Sequence, residues 1–236
     1  MTQKDSRKKY GYNWLPDFVY GGIDGSVTTF AVVAGVQGAS LSIPVILILG
    51  FANLFADGFS MASGKYLSDK SAQEQYKNLR QIEFERLTRQ PEKELAGVRT
   101  ILKHYGFKGE DLKKAIAVVT QDKDKWADML MMHEFNMNQE SVNPLKGALA
   151  TFSAFLMIGI IPLLAYLFKA FLPLTPNGLF ALTCVATFLA MFIVGAVKSR
   201  FVTKSWFASG LEIAGMGSLA ATISYLIGFL LKGLVG

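Results

Sequence analysis

Hydrophobic and polar positions divide the chain into three blocks, a charged stretch between two apolar ones. In the apolar blocks five stretches approach the roughly 20 residues that a helix needs to cross the hydrocarbon of a bilayer. They are Asp17 to Leu41, Ile43 to Tyr66, Pro144 to Phe171, Asn177 to Val197 and Ser205 to Leu231. Ser42 and Pro44 make the first pair a tight helical hairpin, Pro173 and Pro176 break the chain after the third span, and Lys198 to Lys204 joins the last two. The charged block also reads as helix. One amphipathic run extends from Leu67 to near Gln90, a second opens on Pro91 and closes near Gly106, and a third runs from Gly109 to Met137, with Asp122 placed to cap a new helix inside it. The expected fold is all-α and polytopic: a segment at 1–16, two spans at 17–66, a helical insert at 67–143 and three spans at 144–236.

Composition sharpens this picture. Of the 24 Lys and Arg residues 14 lie between Tyr66 and Lys146, as do 13 of the 18 acids, so the spans are left almost free of charge. The insert is close to neutral and has no basic stripe with interleaved aromatics, which argues against a nucleic-acid partner despite the net charge of +6. The single cysteine, Cys184, lies in an apolar run and forms no disulfide framework or Cys-type metal site. Residues 1–17 are polar and basic, unlike a cleaved signal peptide. Positive charge collects on one side of the spans, with Lys4, Arg7, Lys8, Lys9, Lys65, the basic residues of the insert, Lys198, Arg200 and Lys204 on that side, against Lys169 and Lys232 on the other. By the positive-inside rule the N-terminus and the insert are cytoplasmic and the C-terminus is on the opposite side.

Three carboxylates fall inside the spans: Asp24, Asp57 and Glu212. A charge in hydrocarbon costs at least a few kcal/mol unless it is paired or lines a hydrated cavity, which makes intramembrane acids functional candidates. At ~1.5 Å per helical residue, all three lie ~10–13 Å from the presumed cytoplasmic end of their helices, so one polar site is able to contain them. Asn53, Asp57, Met61 and Lys65 recur every four residues and stack along one ridge of the second span, and Glu212 and Met216 share that spacing on the last. Oxygen ligands alone suit magnesium, calcium or manganese; a thioether shifts the preference toward a softer ion such as ferrous iron. The competing readings are packing for the methionines and, for Glu212, a structural bond to a neighbouring helix. Gly21, Gly22, Gly25, Ser26, Ala31, Ala34 and Gly35 permit either close helix approach or local unwinding of the first span.

The segments GGIDGSVTTFAVVAG and GFANLFADGFSMASGKYLS resemble the first two spans of the vacuolar iron transporter family, which includes yeast-type calcium-sensitive complementers and plant nodulin-like members. PEKEL, the run GFKGEDLKKAIAVVTQDKDKWADMLMMHEF and the ending GAVKSRFVTKSWFASGLEIAGMGSLAATISYLIG are similar to the same family, in order and over nearly the whole chain. The resemblance implies a homodimer of five-span protomers with a cytoplasmic three-helix metal-binding domain inserted between the second and third spans. It implies export or sequestration of iron(II) in exchange for protons, with manganese(II) accepted by some members and zinc as a surrogate, across a bacterial plasma membrane or a vacuolar one. No permanently bound cofactor is implied.

Carried over by position, Asp24 and Met61 match the family's pathway acid and methionine, and Asn53 falls where many members have a glutamate, with Asp57 one turn away. Lys65 stands where an acid or amide is common and puts a cation at the mouth of the pathway. In the insert the comparable metal candidates are Glu83, Glu85, Glu92, Glu94 and Glu134. Arg86, Thr88 and Phe135 replace expected acids, which leaves His104, Asp128, Met131 and His133 as substitutes. Two other classes compete with transport: a membrane-anchored dimeric metal sensor or scaffold, and a ferritin-type enzyme. The second is disfavoured, because no Glu-x-x-His spacing occurs and His133 precedes Glu134.

Overall fold

The structure is a computed structural model and describes residues 13–137 and 143–234. Most of the predicted N-terminal segment, with Lys4, Arg7, Lys8 and Lys9, lies outside the described residues. Those described form α1 (Leu15–Gly38), α2 (Ile43–Arg89), α3 (Pro91–His104), α4 (Gly109–Thr120), α5 (Lys123–Glu134), α6 (Pro144–Gly159), α7 (Ile161–Leu167), α8 (Pro176–Lys198) and α9 (Trp206–Leu231), with 3₁₀ turns at Lys169–Phe171 and Lys232–Leu234. No strand occurs among the described residues. The chain divides into two compact units, one formed by everything up to Leu67 and from Asn143 onward, the other by Ser68–Val142.

Helices α1, α2, α8 and α9 are long and apolar enough to cross a bilayer singly, and α6 with α7 makes a fifth candidate span bent by 42°. The bend has a local cause. Pro162, in the first turn of α7, brings no backbone N–H to the carbonyl one turn earlier, so the helix breaks at Ile160 and restarts. Sequence reading treats this segment as one uninterrupted span; the structure divides it. The second span differs in the opposite sense. The second span and the amphipathic run from Leu67, read as two segments, form one helix, and α2 continues unbroken for 47 residues. No Gly or Pro occurs between Lys65 and Gln90, so nothing in the backbone chemistry stops the helix where its surface turns from apolar to charged.

In the first unit α1 packs against α6, α8 and α9. Gly21 and Gly25, one turn apart, meet the backbone of α6 at Thr151 and Phe155, where an added Cβ at Gly25 would lie 2.5 Å from the Phe155 carbonyl oxygen. The small residues thus serve close approach, and α1 remains helical throughout rather than unwinding. On the side toward α9 the Ser224 hydroxyl donates to the Ala31 carbonyl at 2.6 Å. On α2 the ridge Ile46, Gly50, Leu54, Gly58 and Ala62 is buried. Gly50 faces Leu163, Leu54 meets Gly159, and Gly58 faces Phe152 and Phe155, which seats this ridge on α6 and α7.

The second unit consists of the C-terminal part of α2 with α3, α4 and α5 around Leu87, Val98, Leu102, Trp126, Ala127 and Leu130. Asp122 caps α5 as its position suggests, its carboxylate accepting the Asp124 and Lys125 amides at 3.0 and 3.4 Å. The predicted third run is therefore two helices, and Gly106, at φ +92°, takes the left-handed conformation that ends α3.

Candidate functional site

The ridge next to the buried one on α2 carries Asn53, Asp57, Met61 and Lys65. On α1, Asp17 and Asp24 are seven residues apart, two full turns, and so share a face. The two helices are antiparallel, and two contacts fix their register. The Lys65 ammonium lies 3.3 Å from the Asp17 carboxylate. Asp24 and Asp57 come within electrostatic reach of each other. Seven residues along α1 and eight along α2 each cover ~10–12 Å, so the ion pair and the carboxylate pair are successive rungs of one seam, with Met61 on the α2 turn between them. Asp24 and Met61 are half-buried, Asp57 is exposed, and the Asn53 amide nitrogen is buried without a hydrogen-bond partner among the described residues. The Asp24 backbone carbonyl is occupied, since it accepts the Thr28 hydroxyl at 2.9 Å.

Glu212 has different partners. Both of its oxygens accept from the Lys204 ammonium, at 3.1 and 3.0 Å, and Lys198 lies 3.9 Å away. The common depth inferred for three acids therefore corresponds to one pair, Asp24 with Asp57, and to a separate cluster in which Glu212 holds the two lysines flanking the α8–α9 loop. Met216, one turn further on, is exposed.

In the second unit the predicted acids separate. Glu83 is fully buried and Glu94 nearly so. Burial pushes the Glu83 carboxyl up to about 7, helped by the negative charge of Glu94, by a hydrogen bond with Glu94 and more weakly by Glu134, while Arg86 opposes the shift. The Arg86 guanidinium donates to Glu83 Oε2 at 3.4 Å, while Glu83 Oε1 is buried without a hydrogen-bond partner among the described residues. Glu134 approaches this pair beside Gly97, where an added Cβ would meet its carboxylate at 2.9 Å. Glu85 and Glu92 are exposed, Glu85 with Arg89 at 3.6 Å. Among the described residues no three His, Cys, Asp or Glu side chains converge closely enough to hold a metal ion. The substitutes have other work: Met131 is in the core, Asp128 accepts Arg80 Nε at 3.1 Å, and His133 Nε2 contacts the Tyr105 hydroxyl at 3.2 Å. His104 is exposed.

Sequence reading passed over two of these features. Asp17 was read as a span boundary, although its spacing from Asp24 marks it as a member of the same face. Arg80, whose guanidinium bonds Asp124 at 2.6 Å as well as Asp128 and lies 4.8 Å over the Phe84 ring, fastens α2 to α5 within the second unit. No local pattern announces that contact, since its partners are more than 40 positions away.

Comparison with known proteins supplies the remaining information. The model of the VIT family matches residues 15–229. A vacuolar iron transporter of Toxoplasma gondii is 31% identical over 99% of this chain and 79% of its own length. Vacuolar iron transporter 1 of Arabidopsis thaliana is 29% identical over 89% of this chain and 83% of its own, and a vacuolar iron transporter of Plasmodium berghei 28% identical over 92% and 82%.

Proposed function

The chain belongs to the VIT family, and from that premise we propose that it moves a divalent metal ion, iron(II) with manganese(II) as a second cargo, out of the cytosol in exchange for protons. The observation that carries the proposal is the α1–α2 seam, in which Asp24 and Asp57 are held within electrostatic reach of each other on membrane-spanning helices. Two carboxylates so placed repel unless a cation or a proton lies between them. Metal ligands must be deprotonated, so ion and proton compete for the same oxygens, and that competition is itself the coupling of an antiporter. Met61 adds a soft ligand on the adjacent turn and Asn53 an amide oxygen beyond. The exposed Asp57, with Phe55 and Phe59 exposed at 56% and 69% beside it, supports an arrangement in which a second protomer completes the seam. Entry from the side bearing Lys65, Lys198 and Lys204 follows from the distribution of basic loops, which assigns that side to the cytoplasm.

In the insert, Glu83, Glu94 and Glu134 form the candidate metal-capture group, with Glu85 and Glu92 at its exposed margin. A divalent ion arriving there displaces the proton that burial favours on Glu83 and draws the other carboxylates toward it. A sensor without transport gives the insert the same chemistry but leaves the seam without a task.

The test is uptake of Fe(II) and Mn(II) by proteoliposomes, with internal pH recorded. Wild-type protein is expected to move metal with opposite proton flux, and Asp24→Ala and Asp57→Ala to abolish both. Full activity in both variants would sink the assignment of the seam; absence of wild-type flux would leave the sensor.

A further inference from the structure

The seam ends in a feature that metal coordination does not require. Lys65 stands one turn beyond Met61 on the α2 ridge, and its ammonium sits 3.3 Å from Asp17, the first carboxylate of α1. Both side chains are partly withdrawn from solvent, at 28% and 18% exposure, so their attraction is less screened than that of a surface pair. One rung further in lie Met61 and then the Asp24 and Asp57 carboxylates. An ion that reaches those acids along the seam from the Lys65 end passes the ammonium on its way.

We propose that Lys65 is a tethered counter-cation, which holds Asp17 until a divalent ion takes the carboxylate from it and so sets the metal concentration at which the pathway opens to cargo. The inference rests on the transport reading above and makes Lys65 a specificity-determining residue of the same site. The physical case is charge competition. A monovalent cation offers Asp17 no more charge than the ammonium already there and lacks the advantage of a tether. A divalent ion offers twice the charge, and Asp24 and Asp57 lie ~10 Å further along to draw it inward. Once released, the Lys65 side chain has a long flexible stem on which to swing away from the ridge. The pair therefore discriminates by charge, at the cost of weaker capture of scarce metal.

The experiment compares full-length wild type with Lys65→Gln, Lys65→Met and Lys65→Arg in two measurements: Mn(II) uptake kinetics in proteoliposomes, and equilibrium Mn(II) binding to the detergent-solubilised protein at fixed pH. Removing the ammonium is expected to lower KM by about threefold or more, the scale of a partly screened ion pair, with a smaller change in kcat. It should tighten Mn(II) binding in parallel and increase inhibition by sodium or potassium. Lys65→Arg, which keeps the charge, should return both quantities toward wild type. A merely structural role predicts lost kcat and a lower melting temperature with no gain in affinity. Unchanged or weaker Mn(II) binding in both neutral variants, in protein that elutes and melts like wild type, overturns the counter-cation. The two readings fail separately: tighter binding in the neutral variants without wild-type flux defeats transport and sustains the competition at Asp17, whereas wild-type flux with unaltered binding defeats the competition alone.

Discussion

The seam and the helical insert both carry carboxylates in close company, but they keep them in different states. In the seam Asp57 is exposed and Asp24 half-buried, so both are accessible along the helix surface. In the insert Glu83 is fully buried, and burial, helped by the charge of Glu94, pushes its carboxyl up to about 7. In the proposed transport an accessible pair exchanges one cation for another. A buried carboxyl must first be opened and deprotonated before it serves as a ligand, so pH governs it as well. The comparison teaches that carboxylate count alone is a poor guide to function, because the cost of burying charge decides whether an acid is a ligand or a proton store.

The largest effect that tests this contrast is on flux. Asp24→Asn and Asp57→Asn are expected to reduce metal uptake at least about tenfold, whereas Glu83→Gln, which replaces a protonated carboxyl by a near-isostere, should leave uptake within a few-fold of wild type. Equal loss in all three would erase the distinction between the regions.

Next in size is the support of the seam. Gly25→Leu puts a side chain into the Phe155 backbone, where the first atom alone would lie 2.5 Å from the carbonyl oxygen. Separation of α1 from α6 should destabilise the protein by ~1–3 kcal/mol or more, read as a lower melting temperature in detergent. Gly64→Ala, with nothing within 4 Å of its new atom, should have no such cost.

The insert should reveal its proton store through pH. The folded-state value of Glu83 is raised from 4.5 to about 7, so between these values the folded unit binds a proton that the unfolded chain has released. Its contribution to stability is complete below pH 4.5 and is lost as pH rises through about 7, by at most ~3 kcal/mol. Hydrogen exchange of the α3 and α5 amides in the full-length protein should therefore quicken from pH 5 to 8 beyond the intrinsic rate change. Added Mn(II) should suppress the trend by replacing the proton, and Glu83→Gln should abolish it. The smallest effect is expected from Arg80→Ala. Loss of its two partly exposed ion pairs should cost about 1 kcal/mol and speed exchange in α5, with no change in flux through Asp24 and Asp57.

Much of this molecule was legible in local patterns. Apolar runs of membrane length marked α1, α8 and α9, the proline after Gln90 marked the start of α3, and Asp122 marked the start of α5, because each of these depends on residues within a turn or two. Less legible were the features decided by what does not happen locally. The continuity of α2 past Leu67 follows from the absence of any breaker, while the change of surface polarity there marks where the two compact units divide. The bend at Ile160 was hidden because Pro162 sits in a run that is apolar throughout.

By itself the sequence determined the all-helical class, the segregation of charge, the ridge from Asn53 to Lys65 and the candidacy of Asp24 and Asp57, since helical periodicity and the cost of charge in hydrocarbon act on each segment alone. Only the tertiary structure decided partners. It joined Lys65 to Asp17 and Asp24 to Asp57, gave Glu212 to Lys204 and Lys198, and closed Glu83 onto Glu94. Pairing between helices depends on their register and on which faces the glycines allow to meet, and neither is written in the spacing of any single helix.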